Sequence, residues 1–135
     1  STKCYTIPAR MKIYKTKWFR KWAAREGLTD TVLHKAVKEL EKGLADALGG
    51  HVYKKRVGLP GRGKRGGVRT LIAFRQSERA FFMYGYPKNE RANISRDELD
   101  ALRLLAKELL SYSEQGLAKV VRAGELTEVI DHDQD

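Results

Sequence analysis

The sequence predicts an α+β domain in which a small antiparallel sheet packs against helices. Two amphipathic helical segments come early in the chain, two long apolar strand segments fill its middle, and a capped amphipathic helix follows them. At 135 residues, 41% of them hydrophobic, the chain can bury one core and is too short for two of ordinary size.

Met11 to Thr16 is short and rich in strand formers. It runs into Trp18, Phe19, Trp22 and Ala23, whose spacing places them on one helical face ending near Gly27. Thr29 is an N-cap for a second helix, with Leu28 and Leu33 as its hydrophobic staple. Leu33, Val37, Leu40 and Leu44 form the stripe this helix should bury.

From Val52 the period changes to that of a sheet. Val52–Val57 reads as a strand, Gly58–Gly67 as a loop rich in Gly, Arg and Lys, and Val68–Phe74 and Arg79–Tyr86 as two further strands joined by Gln76, Ser77 and Glu78. The last two are apolar on both faces, as central strands covered by helices should be: Val68, Ile72 and Phe74 oppose Leu71 and Ala73, and Phe82 and Tyr84 oppose Phe81 and Met83.

Ser95 and Glu98 make a capping box for a helix carrying Leu99, Leu102, Ala106, Leu109 and Leu110, expected to end near Ser113. A short helix around Gln115–Ala123 and a segment of strand character at Leu126–Ile130 complete the domain, which spans residues 11–130. Residues 1–10 form an N-terminal extension that does not resemble a signal peptide, and Met11 is a candidate internal start. Residues 131–135 are an acidic tail containing His132, expected to be solvent-exposed chain.

Twenty-seven Lys and Arg against 17 Asp and Glu give a net charge of +10, which favours a polyanionic partner through counterion release. RNA, DNA and the ribosome surface all qualify, and a basic surface kept for solubility is the plain alternative. Cys4 has no partner for an internal disulfide, no Cys/His cluster has zinc-ligand spacing, and no apolar run approaches the ~20 residues that cross a membrane. A soluble chain in a reducing cytoplasm, with neither metal nor cofactor, is the resulting expectation.

Two phosphate-binding patterns occur and fail on context. Gly58 to Lys64 has P-loop spacing, but Arg65 stands where Ser or Thr must hold magnesium, and a strand follows instead of a helix. Gly61, Gly63 and Gly66 spell a dinucleotide fingerprint that also feeds a strand, leaving no helix N-terminus for a pyrophosphate. The region does contain Lys54, Lys55, Arg56, Arg62, Lys64, Arg65 and Arg69 with no acid among them, a set that repels itself unless an anion is near.

Strand alternation puts Lys54 and Arg56 on one side and Tyr53, Lys55 and Val57 on the other. Lys54 and Arg56 are therefore expected on the open face and Lys55 on the rim, with a one-residue slip exchanging them. Lys88 and Arg91 form a second basic group after Pro87, or else an exposed loop before the capped helix. No Ser/His/Asp or Cys/His arrangement can be argued: His34 lies mid-helix, His132 lies in the tail, and His51, just before the basic strand, is the one histidine placed to reach a site there. A nuclease built from these residues lacks the acidic cluster of metal nucleases, so cations would have to stabilise the phosphorane, and a Lys crowded by cations can serve as base.

Lys15–Asp30 (KTKWFRKWAAREGLTD), Gly66–Arg75 (GGVRTLIAFR) and Arg79–Ser95 (RAFFMYGYPKNERANIS) together resemble the RelE/ParE superfamily, specifically bacterial HigB-like RelE toxins. The resemblance spans about Met11 to Ile130, and it implies a small antiparallel sheet with packed helices. It further implies cleavage of mRNA in the ribosomal A site, without metal, by attack of the ribose 2′-hydroxyl, in a type II toxin–antitoxin system. On that resemblance Lys54 and Arg56 are the paired basic positions, one a candidate general base and the other a phosphate ligand. Arg69 would stabilise the transition-state charge, Lys88 and Arg91 would bind phosphate or help protonate the leaving 5′ oxygen, and Lys55, Arg62, Lys64 and Arg65 would bind RNA.

The sequence departs from RelE itself at Asn89, where RelE has a catalytic Arg, and around Ser95, where RelE has a stacking Tyr. ParE relatives share the fold but inhibit gyrase and generally lack the basic set, so the cluster favours the ribonuclease over a gyrase inhibitor or a non-catalytic nucleic-acid binder. The resemblance also implies an antitoxin, commonly one with a helix-turn-helix domain.

Overall fold

The computed structural model describes residues 11–59, 61 and 63–130, except for the side chains of residues 63–65. The N-terminal extension and the acidic tail lie outside the described residues.

The chain runs β1 (Lys12–Thr16), α1 (Lys17–Glu26), α2 (Asp30–Glu41), β2 (Asp46–Ala47), β3 (Val52–Leu59), β4 (Gly63–Arg75), β5 (Arg79–Pro87), α3 (Arg96–Leu110), α4 (Glu114–Arg122) and β6 (Leu126–Glu128). Its strands form one sheet in the order β2-β3-β4-β5-β1-β6. The fold is α+β as predicted, but the sheet is mixed: β1 pairs parallel with β5, and the other neighbours pair antiparallel. β1, the first strand in the sequence, lies between β5 and β6.

Helices cover both faces. On one, Phe19, Trp22 and Ala23 of α1 and Leu33, Ala36, Val37 and Leu40 of α2 meet Val57, Val68, Ile72, Phe74 and Phe82. On the other, Leu102, Ala106, Leu109 and Leu110 of α3 and Leu117 of α4 meet Val52, Leu71, Ala73, Phe81 and Met83. The caps are those the sequence specifies: the Thr29 hydroxyl accepts from Val32 N, Gly27 closes α1 in the left-handed region at φ 79°, and Ser95 and Glu98 complete the capping box.

Several expectations need correction. Leu44 is 58% exposed because α2 ends at Glu41, before the fourth position of its stripe. The Gly-rich loop is shorter than expected, since β3 continues to Leu59 and β4 starts at Gly63. Trp18 is 45% exposed although its neighbours Phe19 and Trp22 are buried.

The alternation of β5 is also broken. Leu71 faces Tyr84 while the adjacent Ile72 faces Phe82, so Met83 is an extra residue and the strand carries a bulge. Tyr84 therefore lies on the α3 side with Phe81 and Met83, not opposite them. On the other side Gly85 receives the indole of Trp22 so closely that a Cβ there would lie 2.3 Å from a ring carbon.

Candidate functional site

Cross-strand register builds the site in rows. On the α3 side, Val52, Ala73 and Phe81 form an apolar row. The next row on that side comprises Lys54, Leu71 and Tyr84, with Asp46 of β2 opposite Lys54. The third is Arg56, Arg69 and Tyr86. The sheet face thus changes over a few residues from hydrophobic core to a set of cations and phenols.

Arg69 is the unusual member. It is buried at 7% exposure, and its Nη1 has no hydrogen-bond partner among the described residues. Burial, and then the neighbouring Arg56, pull its pKa below the ordinary arginine value. A guanidinium keeps its proton under such pressure, so the row holds a buried cation on which the pull of Tyr86 and Asp46 is weaker than the push of burial and Arg56. Arg56 beside it is exposed and borders a cleft shared with Lys35 and Glu39.

Lys54 Nζ donates to Asn93 Oδ1 at 2.9 Å, which fastens β3 to the segment after β5. In that segment Lys88 is exposed on a turn closed by Glu90 N donating to Pro87 O. Arg91 is not free. Its Nη1 donates to Glu98 Oε2 at 2.9 Å, its Nη2 to Glu98 Oε1, and its Nε to Asn93 O at 3.0 Å. The guanidinium carbon stands 5.3 Å from the centre of the Tyr86 ring, and the Tyr86 hydroxyl donates to Ala92 O. The hydrogen bonds with Arg91, and then with the Ser95 backbone, lower the Glu98 carboxyl from 4.5 to about 2. Burial raises the Tyr86 phenol above its usual value.

Of the residues selected from the sequence, Lys54, Arg56, Arg69 and Arg91 converge on this face. Lys55 does not: it lies on the opposite face at 3% exposure, with Nζ 2.7 Å from Glu39 Oε1, and it is buried where the rim was expected. Arg62 and the side chains of Lys64 and Arg65 lie outside the described residues. His51 occupies an exposed left-handed turn at φ 65°, at the end of β3 away from Arg56. Sequence reasoning missed Tyr86, read as a strand residue; Glu98, read only as a cap; and Asn93 and Asp46, which carry no local signal. Among the described residues no three His, Cys, Asp or Glu side chains are grouped to hold a metal ion, and no helix is long and apolar enough to cross a membrane.

The fold and site define a small basic α+β protein whose sheet carries a cationic face. Residues 11–129 match the family described as the RelE toxin of the RelE/RelB toxin–antitoxin system, and the chain belongs to that family. It is the toxin of such a pair, and a cognate antitoxin is its partner. A comparison with individually curated proteins finds no match.

Proposed function

We propose that this toxin is an endoribonuclease that cuts mRNA on the ribosome, as the HigB-like members of its superfamily do, and that the Arg56–Arg69–Tyr86 row with Lys54 is its active face. The observation that carries the reading is the buried Arg69 guanidinium with an unpartnered Nη1 beside a second arginine. A desolvated cation held ready for a phosphate is what stabilises a pentacoordinate phosphorus best, because it needs no reorganisation as charge develops.

In the reaction, Lys54 is the candidate base that accepts the 2′-hydroxyl proton on its amine while Arg56 binds the phosphate, and the ribose oxygen attacks the adjacent phosphorus. The bond to the 5′ oxygen breaks as that oxygen takes a proton from the Lys88 ammonium, leaving a 2′,3′-cyclic phosphate and a 5′-hydroxyl. Arg69 holds the non-bridging oxygens through this change. Lys88, exposed just after β5, is the cation assigned to the leaving group. Arg91, engaged by Glu98, acts by holding Tyr86 and the segment that carries Lys88. Asn89 is exposed in the same turn, and the cationic role of the family's arginine there falls to Lys88. Arg62, Lys64 and Arg65 extend the RNA path, and the antitoxin carries a helix-turn-helix domain.

The test is brief induction in bacteria with and without the neighbouring gene, mapping new 5′ ends on translated and untranslated copies of one transcript. Cuts confined to the translated copy and abolished by Arg69→Ala support the proposal. Growth arrest without cuts overturns it in favour of gyrase inhibition or simple binding.

A further inference from the structure

Trp18 belongs by helical spacing to the buried face of α1, yet 45% of its surface is exposed. It is nevertheless fixed in place: its ring lies 5.9 Å from Trp22 with planes 15° apart and 4.7 Å from Tyr84 with planes 31° apart. Tyr84 in turn stands 6.4 Å from Tyr86, which shares its row with Arg69. A line of rings therefore runs from the cationic row to an exposed indole in the first turn of α1.

The surroundings of Trp18 are basic on one flank. Lys21 and Arg25, three and seven residues further along α1, lie on the Trp18 side of the helix; both are exposed and neither makes an ion pair among the described residues. On the other flank an apolar cleft includes Lys17 with Glu108 and Glu125, and the two carboxylates would repel phosphates. An exposed indole can equally mark a protein interface. What distinguishes this one is cations interleaved with rings and continuity with the phosphate-binding row, the combination that binds single-stranded nucleic acid.

We infer that Trp18, buttressed by Tyr84, is a stacking platform for one unpaired nucleobase of an RNA strand whose backbone lies on Arg69 and Arg56. The inference rests on reading that row as an RNA-backbone site. Lys21 and Arg25 then meet the phosphates flanking the stacked base, and Glu108 and Glu125 in the cleft on the far side fix the direction in which the strand leaves. Trp18 is a positioning and specificity residue, remote from the bonds that change.

The test uses the full chain and a 2′-O-methyl RNA octamer, which cannot be cut by 2′ attack, together with octamers made abasic at one position in turn. Wild-type protein should show quenched tryptophan emission on binding. Trp18→Ala should bind the intact octamer about tenfold more weakly. It should match wild type on the octamer abasic at the stacked position. Trp18→Phe should recover most of the affinity, and Tyr84→Leu should reproduce the loss if Trp18→Ala proves poorly folded.

Equal affinity of Trp18→Ala, Tyr84→Leu and wild type for every octamer overturns the inference. Unchanged RNA affinity with lost neutralisation by the antitoxin also overturns it and makes Trp18 a protein contact. Arg69→Met should weaken all octamers alike; if it weakens none while Trp18→Ala does, the platform stands and the backbone reading fails. On ribosomes, a Trp18→Ala defect that varies with mRNA sequence near the cut assigns the base to mRNA. A defect independent of that sequence assigns it to ribosomal RNA.

Discussion

Arg56 and Arg69 are direct partners across the β3–β4 ladder, so two guanidinium groups share one sheet face with their backbones paired. Like charges directly opposite destabilise a sheet. Here one of them is also buried and has a nitrogen without a hydrogen bond. The pair has the character of a site maintained against the stability of the fold.

Replacing Arg69 by Met should therefore separate stability from activity. Removing a buried cation that faces another should raise the melting temperature. Cleavage should fall by about 100-fold or more, the usual loss when a preorganised donor to a developing charge is removed. Thermal unfolding beside an mRNA-cleavage assay checks both. Inorganic phosphate should raise the melting temperature of wild type and leave Arg69→Met unmoved.

Lys55 should behave in the opposite way. It is buried against Glu39 at 2.7 Å, so Lys55→Ala leaves a carboxylate without this cation and should cost about 3 kcal/mol of stability. Turnover of the fraction that remains folded should stay near wild type. Chemical denaturation together with kcat measured below the melting transition tests this, and a specific loss of kcat would return Lys55 to the RNA path.

The Arg91–Glu98 clamp carries a pH signature. Above pH 4.5 the Glu98 carboxyl is ionised in both folded and unfolded chains, and the clamp contributes fully. As pH falls from 4.5 the unfolded chain takes up a proton that the folded chain, titrating at about 2, does not, so the contribution declines and is gone below that value. The melting-temperature gap between wild type and Glu98→Gln should close over this window. At neutral pH the same variant should loosen Tyr86, seen as faster hydrogen exchange in residues 88–95.

Gly85→Ala places a methyl 2.3 Å from the Trp22 ring, which is packed against Phe19 and must shift to admit it. A cost of about 1–3 kcal/mol is expected from denaturant titration. Tryptophan emission should shift as Trp22 and its neighbour Trp18 move.

The sequence made the architecture legible where chemistry is local. Thr29, Gly27, Ser95 and Glu98 announce helix ends through hydrogen bonds within a few residues of themselves, and each does so in the structure. The alternation of β3 likewise put Lys54 and Arg56 on one face without knowledge of the partner strands. What depends on distant chain was hidden. Nothing near Lys55 reveals that Glu39 waits on α2, and nothing near Arg91 distinguishes Glu98 as a counterion from Glu98 as a cap. The parallel placement of β1 beside β5 is a decision of the whole fold, invisible in the residues Lys12–Thr16 themselves.

The extra residue in β5 has an evolutionary corollary. Up to Phe82 the strand alternates between the two helical layers, and after Met83 its tyrosines face the α3 layer and the cationic row together. Because Tyr86 is buried in the cluster beneath α3 and Tyr84 packs against it, the bulge ties the phenols to one layer: mutations that refit the α3 side move them, and mutations that refit the core beneath α2 need not. Relatives that lack the insertion would carry the partner of Tyr84 on the other face of the sheet, and their chemistry would have to be rebuilt from different positions.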